Sequence, residues 1–280
     1  VEGYTRKQWG VDPRLLDAEL ARRIRLNDDS QHSLMPHRRY QALPALGYAG
    51  WMEAMIGGIP CHRGVDYLQQ RDQFQARKLL VFTGPVDELF GFDEGRLAYR
   101  CQRRQLVFHP DRDLIQPCVQ VNHPDAIESS PLRTIEWKHL LTPSQRRQVT
   151  GTVVTREYPC SPATPDACEY PFPDARNKAL SRRYRARAAR IPGLLVCGRL
   201  GEYRYYDMDH AIERALRLAD QILSLDSFPA NPPRSVGRAA GQFSRVDRER
   251  TGCPVVATKE APRRDASPRP LWHAQTSSAS

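Results

Sequence analysis

Apolar and polar positions along the chain predict a helical start, a sheet-like middle, a second helical stretch and a tail poor in apolar residues. From Asp12, Leu15, Leu16, Ala18, Leu20 and Ile24 fall at helical spacing, with Pro13 in a first turn that tolerates it, which predicts a helix over 12–24. Trp51, Met52, Met55 and Ile56 predict a short helix stopped by Gly57 and Gly58. Leu79 to Phe82 is a short apolar run, read as a buried strand, that turns at Thr83-Gly84-Pro85 into a helix or bend over 86–90. Strand-like runs over 97–104, 105–109, 118–122, 134–139 and 152–157 are divided by Pro, Gly and Asp, so an antiparallel sheet is expected. Ala175 to Ala189 predicts a charged helix, and Leu194 to Cys197 a buried strand.

Beyond that strand come glycines at 198 and 201, a run of aromatics, and Asp207 where a helix N-cap belongs. Met208, Ile212, Ala215, Leu216, Ala219, Ile222 and Leu223 then recur at helical spacing. The start of such a helix carries free N–H groups and partial positive charge, which suits an anionic ring or a phosphate in the preceding loop. An aromatic-packed corner with no ligand is the alternative. After Leu225 the composition turns to Pro, Ser, Arg and Gly, and residues 226–280 are expected to be disordered.

These elements predict an α+β fold: an antiparallel sheet with flanking helices and a strand-loop-helix unit. The expected divisions are 1–78 helical, 79–193 sheet, 194–225 strand-loop-helix and 226–280 tail. The 42 Lys+Arg against 32 Asp+Glu give a net charge of +10, mostly scattered arginine without aromatic interleaving, so a solvated surface is favoured over a nucleic-acid interface. Seven cysteines form no C-x-x-C pair and are odd in number, which indicates neither a zinc site nor a disulfide framework and favours a reducing, cytoplasmic setting. Cys197, within an apolar run, reads as a small core residue. No run is long enough for a membrane span.

The opening Tyr4-Thr5-Arg6-Lys7-Gln8-Trp9 resembles the Tyr-Thr-x-Lys-Gln-Trp signature of the UDP-galactopyranose mutase family. The runs Tyr40 to Tyr48, Phe82 to Phe90, Arg133 to His139, Thr155 to Tyr158 and Gly198 to Asp209 resemble further blocks of that family in its order, so the resemblance covers residues 1 to about 225. It implies an isomerase that interconverts UDP-galactopyranose and UDP-galactofuranose through an adduct with reduced FAD. The family's flavin-binding Rossmann segment, with its G-x-G-x-x-G turn, has no counterpart here. The chain is therefore expected to begin in mid-protein, as an incomplete part of a Rossmann-type flavoprotein, and to bind flavin weakly by itself.

The same resemblance implies roles. Arg23 and Arg133 match the guanidinium clamp on the diphosphate and are the catalytic candidates. Tyr4, Thr5, Trp9, Asn122, Tyr170 and Tyr205 are the substrate-binding candidates, with Glu157 in a weaker, structural position. Arg199, Gly201, Asp207 and Met208 are the flavin-contacting candidates, and no metal is implied. UDP-galactose is the expected partner, together with either a second copy or a separately encoded flavin-binding segment. Two departures fall in the diphosphate site: Leu34-Met35 stands where the family has a Tyr-Phe pair, and Pro131 where it has a tyrosine. They keep open two alternatives, a non-catalytic interaction protein and a related flavoprotein acting on another nucleotide sugar.

Overall fold

A computed structural model describes residues 2–18, 20, 42–125, 127, 129–225 and 256–257. In chain order the helices are α1 (Glu2–Trp9), α2 (Gly47–Met55), α3 (Val86–Leu89), α4 (Pro143–Gln148), α5 (Ala175–Ala188), α6 (Gly198–Gly201) and α7 (Met208–Leu223). The strands are β1 (Leu80–Phe82), β2 (Tyr99–His109), β3 (Gln120–Asn122), β4 (Arg133–Glu136), β5 (Thr152–Cys160), β6 (Tyr170–Pro171), β7 (Leu194–Val196) and β8 (Val256–Ala257). The larger sheet runs β3-β4-β5-β2-β6 with every neighbour antiparallel, and β8 pairs parallel with β2. A separate pair, β1 with β7, is parallel. This mixture of helices and antiparallel sheet is the expected α+β arrangement.

The core lies where α3 and α5 pack on the β1–β7 pair and the start of β2. Phe82, Val86, Leu89, Leu97, Leu180 and Tyr184 are all buried there. Tyr184 is fully covered, and its hydroxyl accepts from the Glu94 N–H (2.9 Å) and donates to the Gly95 carbonyl (2.8 Å), so a polar tip deep in the core keeps both bonds. Arg187, one turn further along α5, forks onto the Asp93 carboxylate at 2.7 Å through each terminal nitrogen. The charged face of α5 is thereby tied to the loop before β2.

Several sequence expectations change. In place of the helix from Asp12 the described residues show a 3-10 turn over Pro13–Leu15 that ends in extended backbone at Leu16, with 3-10 geometry again at Ala18 and Leu20. Leu15 is 69 % exposed while Leu16 and Leu20 are half-buried, so the stripe is only partly covered, and Asp12 spends its carboxylate on Arg14 and Arg6. The remainder of that helix, with Arg23 and Leu34-Met35, lies outside the described residues, as does the tail apart from Val256 and Ala257. The runs 97–104 and 105–109 form one strand, because the Arg104–Glu157 and Gln105–Arg156 pairs carry the ladder straight through the polar stretch. The run 134–139 turns from strand to 3-10 helix after Glu136, whose fully buried carboxylate accepts from the N–H groups of Ile115 and Gln116 (both 2.9 Å) and the Thr152 hydroxyl (2.7 Å).

Helix α7 brings the largest surprise. Its apolar stripe is there, yet Met208, Leu216 and Leu223 are 50, 62 and 82 % exposed, while Leu218, on another face, is the buried residue. The β1–β7 pair is likewise open, with Val81 45 % exposed, although parallel strands ordinarily lie covered on both faces.

Candidate active site

The register of the large sheet builds the site. Asn122 on β3 is paired with Arg133 on β4, Arg133 with Glu157 on β5, and Glu157 with Arg104 on β2. Directly opposed residues in antiparallel strands share a face, so the four form one row across the sheet. Glu157, 5 % exposed, takes Arg133 Nε on one carboxylate oxygen and Arg104 Nε (3.1 Å) on the other. Arg104 also forks onto Glu169 with two bonds of 2.8 Å. Two guanidinium groups are thus held side by side by two carboxylates, with Arg133 the more enclosed of the pair.

Helix α1 is docked over this row. Gly3 packs so closely that a Cβ there would lie 2.2 Å from the Pro124 carbonyl oxygen. Lys7 reaches the His123 carbonyl and the Asp125 carboxylate, both at 3.2 Å. At the other end the Gln8 side chain accepts from Gln102 (2.7 Å) and its carbonyl from Arg100 Nε (2.9 Å). So anchored, α1 sets Tyr4 beside Arg133, within reach of its charge, and buries Trp9 to 3 % exposure. Thr5 is half-buried between them in the same helix.

Beside Trp9 lies an aromatic cluster. Its ring meets Phe172 edge-on at 5.6 Å and Tyr205 at 6.4 Å, and Tyr205 stacks on Tyr170 at 5.5 Å. Arg199 sits over both tyrosine rings, 5.3 Å from the Tyr170 centroid and 5.2 Å from that of Tyr205, and donates to the carbonyls of Tyr206 (2.9 Å) and Glu169 (3.2 Å). The loop reaches this position through Tyr203, which has φ of 51° and whose hydroxyl bonds to the Ala98 and Phe172 carbonyls.

Burial shapes the protonation states. The Tyr170 phenol is pushed up to about 12, first by burial and then by Tyr205, with Arg133 opposing. Burial also raises Tyr4, again against Arg133. For Arg133 burial acts to discharge the group, but the Glu157 carboxylate outweighs it and the net shift is upward. The corner therefore offers a permanent cation flanked by neutral hydroxyl donors, which suits an anion. Since the folded state holds the Tyr170 proton more tightly than an unfolded phenol near pH 10, stability is unaffected below that pH and falls as pH rises from about 10 to 12. A series of urea midpoints against pH, beside tyrosinate absorbance, checks this; tyrosines that all ionise near pH 10 without loss of structure refute it.

The flavin-contacting candidates divide. Gly201 is a packing residue here: a Cβ would lie 2.9 Å from Val196 Cγ1 and 3.2 Å from the Phe82 carbonyl oxygen. Gly201→Ala should cost about 1–2 kcal/mol, because overpacking against backbone exceeds the gain in helix propensity; an unchanged urea midpoint rules that out. Asp207 occupies the N-cap position of α7 but its carboxylate makes no capping bond, lying instead with Asp209 and His210 at the helix start. Met208 follows, half-exposed. Asn122, at the outer end of the row, is exposed and accepts from Gln120.

The structure thus gathers Tyr4, Trp9, Arg133, Tyr170, Arg199 and Tyr205 and leaves Gly201 and Met208 to a neighbouring corner. Sequence reasoning passed over Arg104 and Glu169, which hold the row in place. The one available signal was the alternation of Arg100, Gln102 and Arg104 inside a strand, polar residues at every second position. A hollow of about 650 Å³ opens between α5 and α7, lined by Lys178, Arg182, Arg185 and Arg214 together with Asp174 and Glu213. It shares Phe172 and Tyr205 with the aromatic cluster but does not include Arg133.

Fold and site together define an α+β protein that sets a fixed cation and neutral phenols over an aromatic floor, a class suited to an anion carrying a ring. Residues 1–205 match the family model described as UDP-galactopyranose mutase, and the chain belongs to that family. It is 30 % identical over 230 residues to a "Probable UDP-galactopyranose mutase" of Klebsiella pneumoniae, covering 80 % of this chain and 56 % of that protein. It is 29 % identical over 238 residues to the "UDP-galactopyranose mutase" of Mycoplasma genitalium (79 % and 57 %), and 26 % over 228 residues to a "dTDP-fucopyranose mutase" of Escherichia coli (78 % and 58 %). The chain therefore spans a little over half the length of these relatives.

Proposed function

We propose that this chain carries the nucleotide-sugar-binding part of a mutase that interconverts UDP-galactopyranose and UDP-galactofuranose. The observation that carries the reading is the Arg133–Glu157–Arg104 row facing Tyr4, with Tyr170, Tyr205 and Trp9 alongside. Arg133, charged at any working pH and oriented by Glu157, holds a diphosphate oxygen and stabilises the charge that builds on the departing UDP. Tyr4 and Tyr170 keep their protons and so donate hydrogen bonds to the same group. The half-buried, stacked Tyr170–Tyr205 pair gives flat area against the uracil or sugar ring, with buried Trp9 backing it. Arg23 is assigned the second clamp position on the family resemblance alone.

FAD, the cofactor the family implies, would supply the nucleophile at the anomeric carbon in its reduced form. The residues present suit one end of it. The α7 start, with no carboxylate cap, offers N–H donors to a negatively charged ring, and half-exposed Met208 offers apolar contact. The G-x-G-x-x-G turn that serves the pyrophosphate in such proteins is not among the 280 residues. The open β1–β7 pair and the uncovered apolar stripe of α7 support a flavin-binding α/β segment packing there, in the same polypeptide or a partner one.

The 280-residue chain should purify colourless and inactive, and should gain both flavin and turnover when joined behind the flavin-binding segment of a family member. The readout is chromatographic conversion of UDP-galactofuranose after reduction with dithionite. A joined protein that is fully flavin-loaded yet neither binds UDP nor converts the sugar overturns the proposal; a yellow preparation of the chain alone overturns its incompleteness. Pro131 in the diphosphate site, and a family relative named for dTDP-fucopyranose, favour a second reading in which another nucleotide sugar is the substrate. A parallel assay with dTDP-linked sugars separates the two.

A further inference from the structure

Cys101 and Cys160 are directly opposed at the last rung of the β2–β5 ladder. Their sulfurs are 2.7 Å apart, well inside the roughly 3.5–4 Å at which non-bonded heavy atoms ordinarily rest, although the residues are 59 apart in sequence. Opposed residues of antiparallel strands have Cα separations of about 4.5–5.5 Å, and disulfides form across about 4.4–6.8 Å, so the backbone needs little adjustment. Cys101 is 2 % exposed, whereas Cys160 is half-buried and reachable. Arg100 stands beside them: its guanidinium bonds to Ser161 (3.0 Å) and the Gln8 carbonyl and interacts electrostatically with both sulfurs.

We propose that Cys101 and Cys160 are a redox pair that closes to a cross-strand disulfide when a small disulfide such as oxidised glutathione is present. The Cys160 thiolate attacks one glutathione sulfur, breaking its S–S bond and expelling one glutathione thiolate, which takes up a proton. Cys101 then gives up its proton and attacks the Cys160 sulfur of the mixed disulfide, releasing the second glutathione. Two protein thiols are oxidised, one glutathione disulfide is reduced, and protons balance. The bond would pin the end of the ladder three residues from both Glu157 and Arg104 and, by strand alternation, on the opposite face of the sheet from the site. It would stiffen the scaffold without blocking the clamp.

The test treats the whole 280-residue chain with oxidised glutathione, blocks remaining thiols and maps peptides without reduction. We expect a cross-linked peptide joining Cys101 to Cys160, lighter by two hydrogens and reversed by dithiothreitol. The thermal midpoint should rise by roughly 5–15 °C on oxidation, as expected for a loop of that length, and Cys160→Ser should abolish both changes. In guanidinium, pairing should scatter among the seven cysteines. Glutathione retained on Cys160 with no link to Cys101, or the same scattered pairing in the folded and denatured chains, overturns the proposal. The peptide map of the unmodified chain decides the matter even where the serine variant does not fold.

Discussion

Glu157→Ala should lower stability by about 3 kcal/mol, read as a reduced urea midpoint at unchanged slope. The carboxylate is 5 % exposed and sits between two guanidinium groups. Its removal strands Arg133, 24 % exposed, against the Tyr4 hydroxyl with no anion nearby, and such a half-broken pair costs about 3–5 kcal/mol. The low end applies because Arg104 keeps its fork onto Glu169. Glu157→Gln should cost less, since the amide still accepts one hydrogen bond. A variant with the parent midpoint would show that the row is solvated and that Glu157 does not organise the site.

Arg133→Ala should have the opposite profile. Its loss leaves Glu157 still bonded to Arg104, so stability should fall by only about 1–2 kcal/mol. On the proposed function, kcat/KM of the flavin-loaded protein should nonetheless fall about 100- to 1000-fold, the usual effect of removing a donor aimed at developing negative charge. Arg133→Lys should restore part of this, because a point charge replaces a fork that can hold Glu157 and a phosphate oxygen together. UDP affinity measured by titration should fall alongside. Near-parent kinetics would remove Arg133 from the diphosphate, whereas loss of activity together with collapse of the urea midpoint would assign it to the scaffold alone.

These two arginine–glutamate contacts also show where sequence reasoning stops. The blocks that place the chain in its family were legible from residue type and order, and so were β1, β7, α5 and α7, whose spacings are local. Over the described part of the 12–24 run, 3-10 and extended backbone replace the expected α-helix, because periodicity does not say whether an apolar surface exists to receive the stripe, and Leu15 has none. For α7 the stripe itself was read correctly, but the face that this chain covers is a different one, that of Leu218. At Gly201, a flavin-contacting candidate by resemblance, only the structure shows that the space a Cβ would take is filled by Val196 and the Phe82 carbonyl.

The residue sequence by itself determined most element types, the family through its motif blocks, and the identity of the aromatic and cationic groups available for chemistry. Only the tertiary structure decided that Asn122, Arg133, Glu157 and Arg104 stand in one row, that Tyr4 faces Arg133, and that Arg199 is spent on the Tyr206 and Glu169 carbonyls. The reason is physical. Side-chain alternation within a strand is a property of a few neighbouring residues, whereas register joins positions 24 and 53 apart and is chosen by the packing of the whole sheet.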